Sequence, residues 1–255
     1  MIIKEFSVDK LLVKAFDNRT NMGVCVAKEF AEYTKNLLEK KPFVNIIFAA
    51  APSQSDFLNA LKEEKGIDWG RINVFHMDEY VGIGIKQPQS FAKFVKDLVV
   101  DEFKPGKYFH IKGDACSINC ECKRYTKLLQ KYPTDIVCLG IGENGHIAFN
   151  DPGVADFWDK HWVKKVKLDQ TCRNQQVNDK CFESIDKVPE YALTLTVPTL
   201  MRASAMFCTV PASTKAEAVK RMLEGMIDAN CPATALRTHD FARLYLDSDS
   251  AKFVL

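Results

Sequence analysis

The sequence predicts an α/β fold: a three-layer arrangement, a mostly parallel sheet with helices on both faces. Three observations predict it. Short apolar runs alternate with longer amphipathic stretches along most of the chain. The clearest run, Phe43 to Ala51, is apolar on both faces, as a covered parallel strand requires. The chain has 255 residues, 47% hydrophobic and 27% charged, an ordinary globular composition at a size common for one α/β domain spanning 1–255.

Taken in order, Asn21 to Lys40 carries a helical stripe of Val26, Phe30, Tyr33 and Leu37, spaced by four, three and four residues. Phe43 to Ala51 is the first strand and Ser53 to Lys65 the next helix. Ile72 to His76 is a strand. Gln89 to Phe103 is a helix with Pro88 at its start, and Cys116 to Lys131 is another. Asp135 to Leu139 is a strand. Trp162 to Leu168, Tyr191 to Val197 and Ala205 to Val210 read as further strands. A helix follows from Lys215 to about Met226, and Arg243 to Leu246 is a final strand. This alternation defines a Rossmann-like arrangement, in which chemistry sits beyond the carboxyl ends of the strands.

Charge and composition exclude several functions. Lys plus Arg is 35 against 33 for Asp plus Glu, too balanced for a protein that coats nucleic acid. No apolar run approaches the roughly 18–20 residues of a membrane span. The N-terminus has an acid at Glu5 and no signal core, which points to the cytoplasm. Nine cysteines are many, but Cys25, Cys138 and Cys208 have the flanks of buried thiols. Cys116, Cys120 and Cys122 cluster without a zinc spacing or a neighbouring His, so no metal is expected there.

Four segments offer chemistry. Met77-Asp78-Glu79-Tyr80-Val81-Gly82 places two carboxylates at a strand's carboxyl end. One is a candidate general base; the alternative is a loop acid that caps the next helix. Gly140, Gly142 and Gly145 match G-x-G-x-x-G, but Asn150-Asp151-Pro152-Gly153 breaks the chain where a dinucleotide-binding helix should run. The better reading is a loop that brings backbone to a ligand and presents His146 with Asp151, or else a structural His in a turn. Thr214 and Glu217 fit a capping box, which places Lys215 at the first helical position, opposed to the helix dipole unless an anion sits there. Ala49 to Ser55 could hold an oxyanion or simply cap a helix.

Together, Met77 to Gly82, Leu139 to Pro152, Val188-Pro189-Glu190-Tyr191-Ala192-Leu193-Thr194 and Ser213 to Ala216 resemble the glucosamine-6-phosphate deaminase (isomerase) family, a relative of the 6-phosphogluconolactonases. The resemblance spans roughly residues 20 to 247. It implies an aldose–ketose isomerisation that expels the C2 amine of an amino-hexose 6-phosphate as ammonia. Asp78 then moves the proton between C2 and C1, and His146 opens the pyranose ring. Asp151 orients His146 where many members have Glu, Asn144 supports, and Lys215 binds phosphate. Ser53, Gln54, Glu79, Gly142 and Gly145 are further candidates for substrate contact. Lys180 is the nearest cation to the place of the family's second phosphate ligand, an Arg. The family's Gly- and Thr-rich phosphate loop is here Ala49 to Ser55. No metal or organic cofactor is implied, and a homo-oligomer is. The rival readings are a galactosamine-6-phosphate isomerase, a lactone hydrolase and a sugar-phosphate sensor without turnover.

Overall fold

The computed structural model describes residues 1–178 and 180–255. β1 (Ile2–Val8) and β2 (Leu11–Phe16) open the chain as an antiparallel hairpin. α1 (Arg19–Lys40) follows, capped by Asn18, whose side chain accepts from the Asn21 N–H. Next come β3 (Val44–Phe48), α2 (Ser55–Leu61), β4 (Ile72–His76) and β5 (Asp78–Tyr80). A continuous helical stretch holds α3 (Phe91–Val95), a π turn and α4 (Asp101–Phe103), and leads to β6 (Lys107–Phe109). α5 (Ile118–Lys131), β7 (Ile136–Leu139), β8 (Val163–Lys167), α6 (Gln170–Asn178) and β9 (Tyr191–Leu195) continue the chain. α7 (Val197–Leu200), β10 (Ala205–Val210), α8 (Ala216–Glu224) and β11 (Ala242–Asp247) complete it.

Eight strands form one sheet in the order β1-β2-β11-β10-β7-β3-β4-β6. Every pairing in it is parallel except β1 with β2. From β3 the chain steps outward to β4 and β6; from β7 it steps the other way to β10 and β11. The direction reverses between β3 and β7, and their carboxyl ends flank the crevice where α/β sheets bind ligands. The covered strands explain the apolar runs: all of β3, β4, β7 and β10 is buried. On one face α1 buries Met22, Val26 and Phe30, and Phe30 meets the rings of Phe48, Phe57 and Phe207. Among the described residues, no helix is long and apolar enough to cross a membrane.

Three expectations need correction. Trp162 to Leu168 and Tyr191 to Val197 do contain strands, but β8 and β9 join β5 in a separate antiparallel sheet, order β5-β9-β8. The Thr214 capping box does not form. Ser213–Lys215 is a 3-10 turn, α8 starts at Ala216, and no side chain among the described residues caps it. The predicted helix from Gln89 starts at Phe91, with Ser90 as its cap, because Ser90 accepts the Lys93 N–H. The N-terminal hairpin was not predicted at all.

Candidate active site

A cavity of about 200 Å3 opens at the carboxyl ends of β3, β4, β7 and β10. Its wall includes Ser53, Asp78, Gly142, His146 and Lys215. That is smaller than the roughly 300–1,000 Å3 of drug-sized pockets, so it suits a small, polar ligand.

Asp78 and Glu79 share a sequence motif and part in space. Successive residues of β5 point to opposite faces. Asp78 turns into the cavity, 7% exposed, and no hydrogen-bond donor among the described residues meets its carboxylate. Burial first, then the neighbouring Glu79 charge, push its pKa well above the ordinary value. Glu79 instead faces the start of α3. It accepts from Ser90 Oγ at 2.7 Å and from the Tyr80, Phe91 and Ala92 N–H groups at 3.0, 3.1 and 2.9 Å. Burial pushes its pKa up to about 7, against the downward pull of these donors. Glu79 is thus the helix-capping acid and Asp78 the free carboxylate; Glu79 lies outside the cavity wall. Glu79→Gln leaves donors facing an amide NH2, so it is expected to cost about 1–3 kcal/mol, read as a lower Tm. Removing that charge also lowers the Asp78 pKa. The acid limb of any activity that needs ionised Asp78 should move to lower pH in a pH–rate profile.

His76 fixes the backbone of Asp78. Its Nε2 accepts the Ile111 N–H at 2.9 Å, so Nδ1 carries the proton and donates to the Asp78 carbonyl at 2.9 Å. Burial pushes its pKa down to about 3, and the ring stays neutral. The Tyr125 hydroxyl accepts the His76 N–H and donates to the His76 carbonyl, which locks this support from α5.

The loop after β7 builds the opposite wall. A Cβ on Gly142 would stand 2.2–2.4 Å from the His146 ring, so only Gly lets the imidazole lie there. Gly145 has φ +87°, the left-handed turn that returns the chain to His146. His146 Nδ1 lies 2.9 Å from Asp151 Oδ1. Asn144 organises both: its Oδ1 accepts the His146 N–H at 3.0 Å, and its Nδ2 donates to Asp151 at 3.0 Å and to Asp169 at 3.1 Å. Burial alone would raise Asp151, but the His146 ring beside it and the bond from Asn144 hold its carboxyl below the ordinary value. The small sheet ties this loop to Asp78. Asp78 pairs with Thr194, and Thr194 Oγ1 accepts the Phe149 N–H at 3.1 Å.

Lys215 is buried and lines the cavity from the turn before α8. The turn is entered through Ala212, held at φ 84°, a strained angle for a residue with a Cβ. Asp247 accepts the Ala212 N–H at 3.0 and 3.2 Å and pins it there. Asn144, Gly145 and Asp151 stand behind His146 rather than in the cavity wall. Two candidates lie elsewhere. Gln54 faces inward and donates to the Leu139 carbonyl at 3.0 Å and to Thr209 Oγ1 at 2.7 Å, bridging the loop after β3 to β7 and β10. Lys180 is exposed beside a neighbouring cleft that also takes in Gln87, Phe94 and Lys187.

Sequence reasoning missed Arg19, Gln175 and Gln176, which all line the cavity. Arg19 stands in the first turn of α1, and its guanidinium binds Asp56 of α2 at 2.6 and 2.7 Å. The sequence held no signal for Arg19: it lies before Asn21, where the helical stripe begins, and only the packing of α1 brings it to the cavity. Cys116 and Cys120 are exposed and Cys122 is half-buried on or beside α5, away from this site.

A parallel sheet whose switch point gathers a buried carboxylate, an imidazole–carboxylate pair and a buried cation defines an α/β protein equipped for acid–base chemistry on a small anion. Over residues 17–245 the chain matches the family Glucosamine-6-phosphate isomerases/6-phosphogluconolactonase, and it belongs to that family. It is 32% identical over 211 residues to a glucosamine-6-phosphate deaminase of Listeria monocytogenes, covering 83% of this chain and 88% of the relative. It is 34% identical over 194 residues to glucosamine-6-phosphate deaminase 1 of Bacillus subtilis, covering 75% and 78%. A solved monomeric glucosamine-6-phosphate deaminase superposes with a TM-score of 0.84 at 29% identity, covering 94% of this chain and 98% of that one. A 6-phosphogluconolactonase of Thermotoga maritima shares the fold, with a TM-score of 0.75 at 17% identity, covering 93% and 99%.

Proposed function

We propose that the protein converts glucosamine 6-phosphate and water into fructose 6-phosphate and ammonia. The observation that carries this reading is Asp78, buried without a donor among the described residues, in one small cavity with His146 and Lys215. Lys215 binds the phosphate. His146 protonates the ring oxygen to open the pyranose, and Asp151 holds the imidazole and supports its charge. Asp78 takes the C2 proton and returns it to C1; the C2 imine so formed adds water and releases ammonia. Burial makes the Asp78 carboxylate a stronger base than an exposed one. An ammonium at C2 also favours the ionised carboxylate, whereas a lactone brings no such charge. This asymmetry favours an amino sugar over a lactone.

No disulfide joins the cysteines of the described residues, which supports a cytoplasmic setting. Arg19, at the cavity mouth, supplies a second positive charge to the phosphate. Arg19→Ala is expected to raise KM about two- to tenfold with kcat unchanged, the loss of roughly 0.5–1.5 kcal/mol of partly screened attraction. KM measured against ionic strength checks this, because the gap between wild type and variant should narrow with salt.

Parallel assays test the function. Purified protein should release ammonia from glucosamine 6-phosphate faster than from galactosamine 6-phosphate and leave 6-phosphogluconolactone untouched. Lactone hydrolysis alone, or sugar-phosphate binding without product, would overturn the reading.

A further inference from the structure

Behind the His146–Asp151 pair lies a thiol that the proposed chemistry does not use. Cys172 stands in the first turn of α6, buried, and its N–H donates to Asp169 Oδ1 at 2.5 Å. Asp169 in turn accepts from Asn144, so one hydrogen-bonded chain fixes Cys172 against the loop of His146. One donor atom each from His146, Asp151 and Cys172 lies within 4.8 Å of the other two, and all three residues are buried. A tetrahedral zinc separates its N, O and S ligands by roughly 3.3–3.7 Å, so small side-chain movements close the set around an ion.

We propose that His146, Asp151 and Cys172 form a buried inhibitory site for a thiophilic divalent cation, zinc foremost. The donor set is an imidazole nitrogen, a carboxylate oxygen and a sulfur, the three ligand types zinc takes from proteins. Charge fits as well. Asp151 is ionised, and Cys172 becomes a thiolate when its proton leaves to solvent. These two negative charges and a neutral imidazole balance a divalent cation, so the buried complex carries no net charge. His146 Nδ1, the nitrogen beside Asp151, gives its lone pair to the ion, and its proton moves to Nε2. The ring stays neutral, no group is oxidised or reduced, and one proton leaves per ion bound. Bound to the ion through Nδ1, the ring can no longer become an imidazolium backed by Asp151 and could give up its Nε2 proton only as an imidazolate, so the protonation of the ring oxygen assigned to His146 stops. That inhibition rests on the proposed role of His146; the binding itself does not.

Metal-stripped protein titrated with cobalt(II) tests the site without substrate. Wild type should bind one cobalt per chain with a thiolate-to-cobalt charge-transfer band, and zinc should displace it. Cys172→Ala and Cys172→Ser, checked for folding by circular dichroism, should lose the band and bind zinc at least about tenfold more weakly. Cobalt bound without the band, no cobalt bound, or a band that survives in both variants would overturn the site. These readouts involve no sugar phosphate, so their failure leaves the proposed function standing, and the reverse holds. With substrate present, zinc should inhibit wild type at least tenfold more strongly than the variants. Equal inhibition would overturn the inhibitory role.

Discussion

Asp78→Asn is expected to abolish turnover while making the protein more stable at neutral pH. Loss of a positioned general base costs about 10²–10⁴ in rate, so kcat should fall by that much while the sugar phosphate still binds. The stability gain follows from the environment of Asp78. Its carboxylate meets no donor among the described residues, and its burial disfavours the charge. Asn fills the same volume, loses no hydrogen bond and carries no charge. The pH dependence has a definite sign. Unfolded, Asp78 and Glu79 release their protons near their ordinary values of 3.8 and 4.5. Folded, Glu79 holds its proton to about 7 and Asp78 is also raised. Between these limits the folded chain binds more protons, so wild type loses stability as pH rises from about 4 towards and beyond 7. The variant should lose less over the same window. Denaturant unfolding at several pH values, with kcat measured on the same samples, checks both halves.

Lys215→Met is expected to act on binding instead. Met keeps most of the side chain's volume in its buried position, so the fold should hold. A charge-assisted bond to a phosphate contributes about 1.5–3 kcal/mol, and its loss raises KM roughly 10- to 150-fold. Inorganic phosphate should cease to compete in the variant. A fall in kcat with KM unchanged would instead place Lys215 at the reacting carbons.

Local chemistry was legible in the sequence where neighbours in the chain are neighbours in space. The His146 loop is the clearest case: Gly142, Asn144, Gly145, His146 and Asp151 sit within ten residues, and their types dictate the turn and the pair. The Asp78-Glu79 motif was half legible. Its two readings, base and helix cap, fall on different residues: Glu79 caps α3 and Asp78 is left for the proposed base, because β5 turns adjacent side chains to opposite faces. β3, β4 and β10 were plain because burial on both faces leaves unbroken apolar runs. β1 was not, since most of it is exposed at the sheet's edge and carries no such run. β8 was found but its sheet was not, because its half-buried alternation does not name a partner. Arg19 near Lys215 and Cys172 behind Asp151 depend on α1 and α6 packing onto distant loops. Spacing along the chain holds no trace of that. Lys180 fell outside the cavity for the same reason.

In the proposed reaction Asp78 carries a proton between two carbons of one substrate. The most direct test is to run the reaction in ordinary water on glucosamine 6-phosphate deuterated at C2 and read the product by NMR. The expected product is fructose 6-phosphate with one deuterium at C1, formed together with ammonia and lost with Asp78→Asn. Ammonia released with no deuterium at C1, or labelled product formed equally well by the variant, would contradict it.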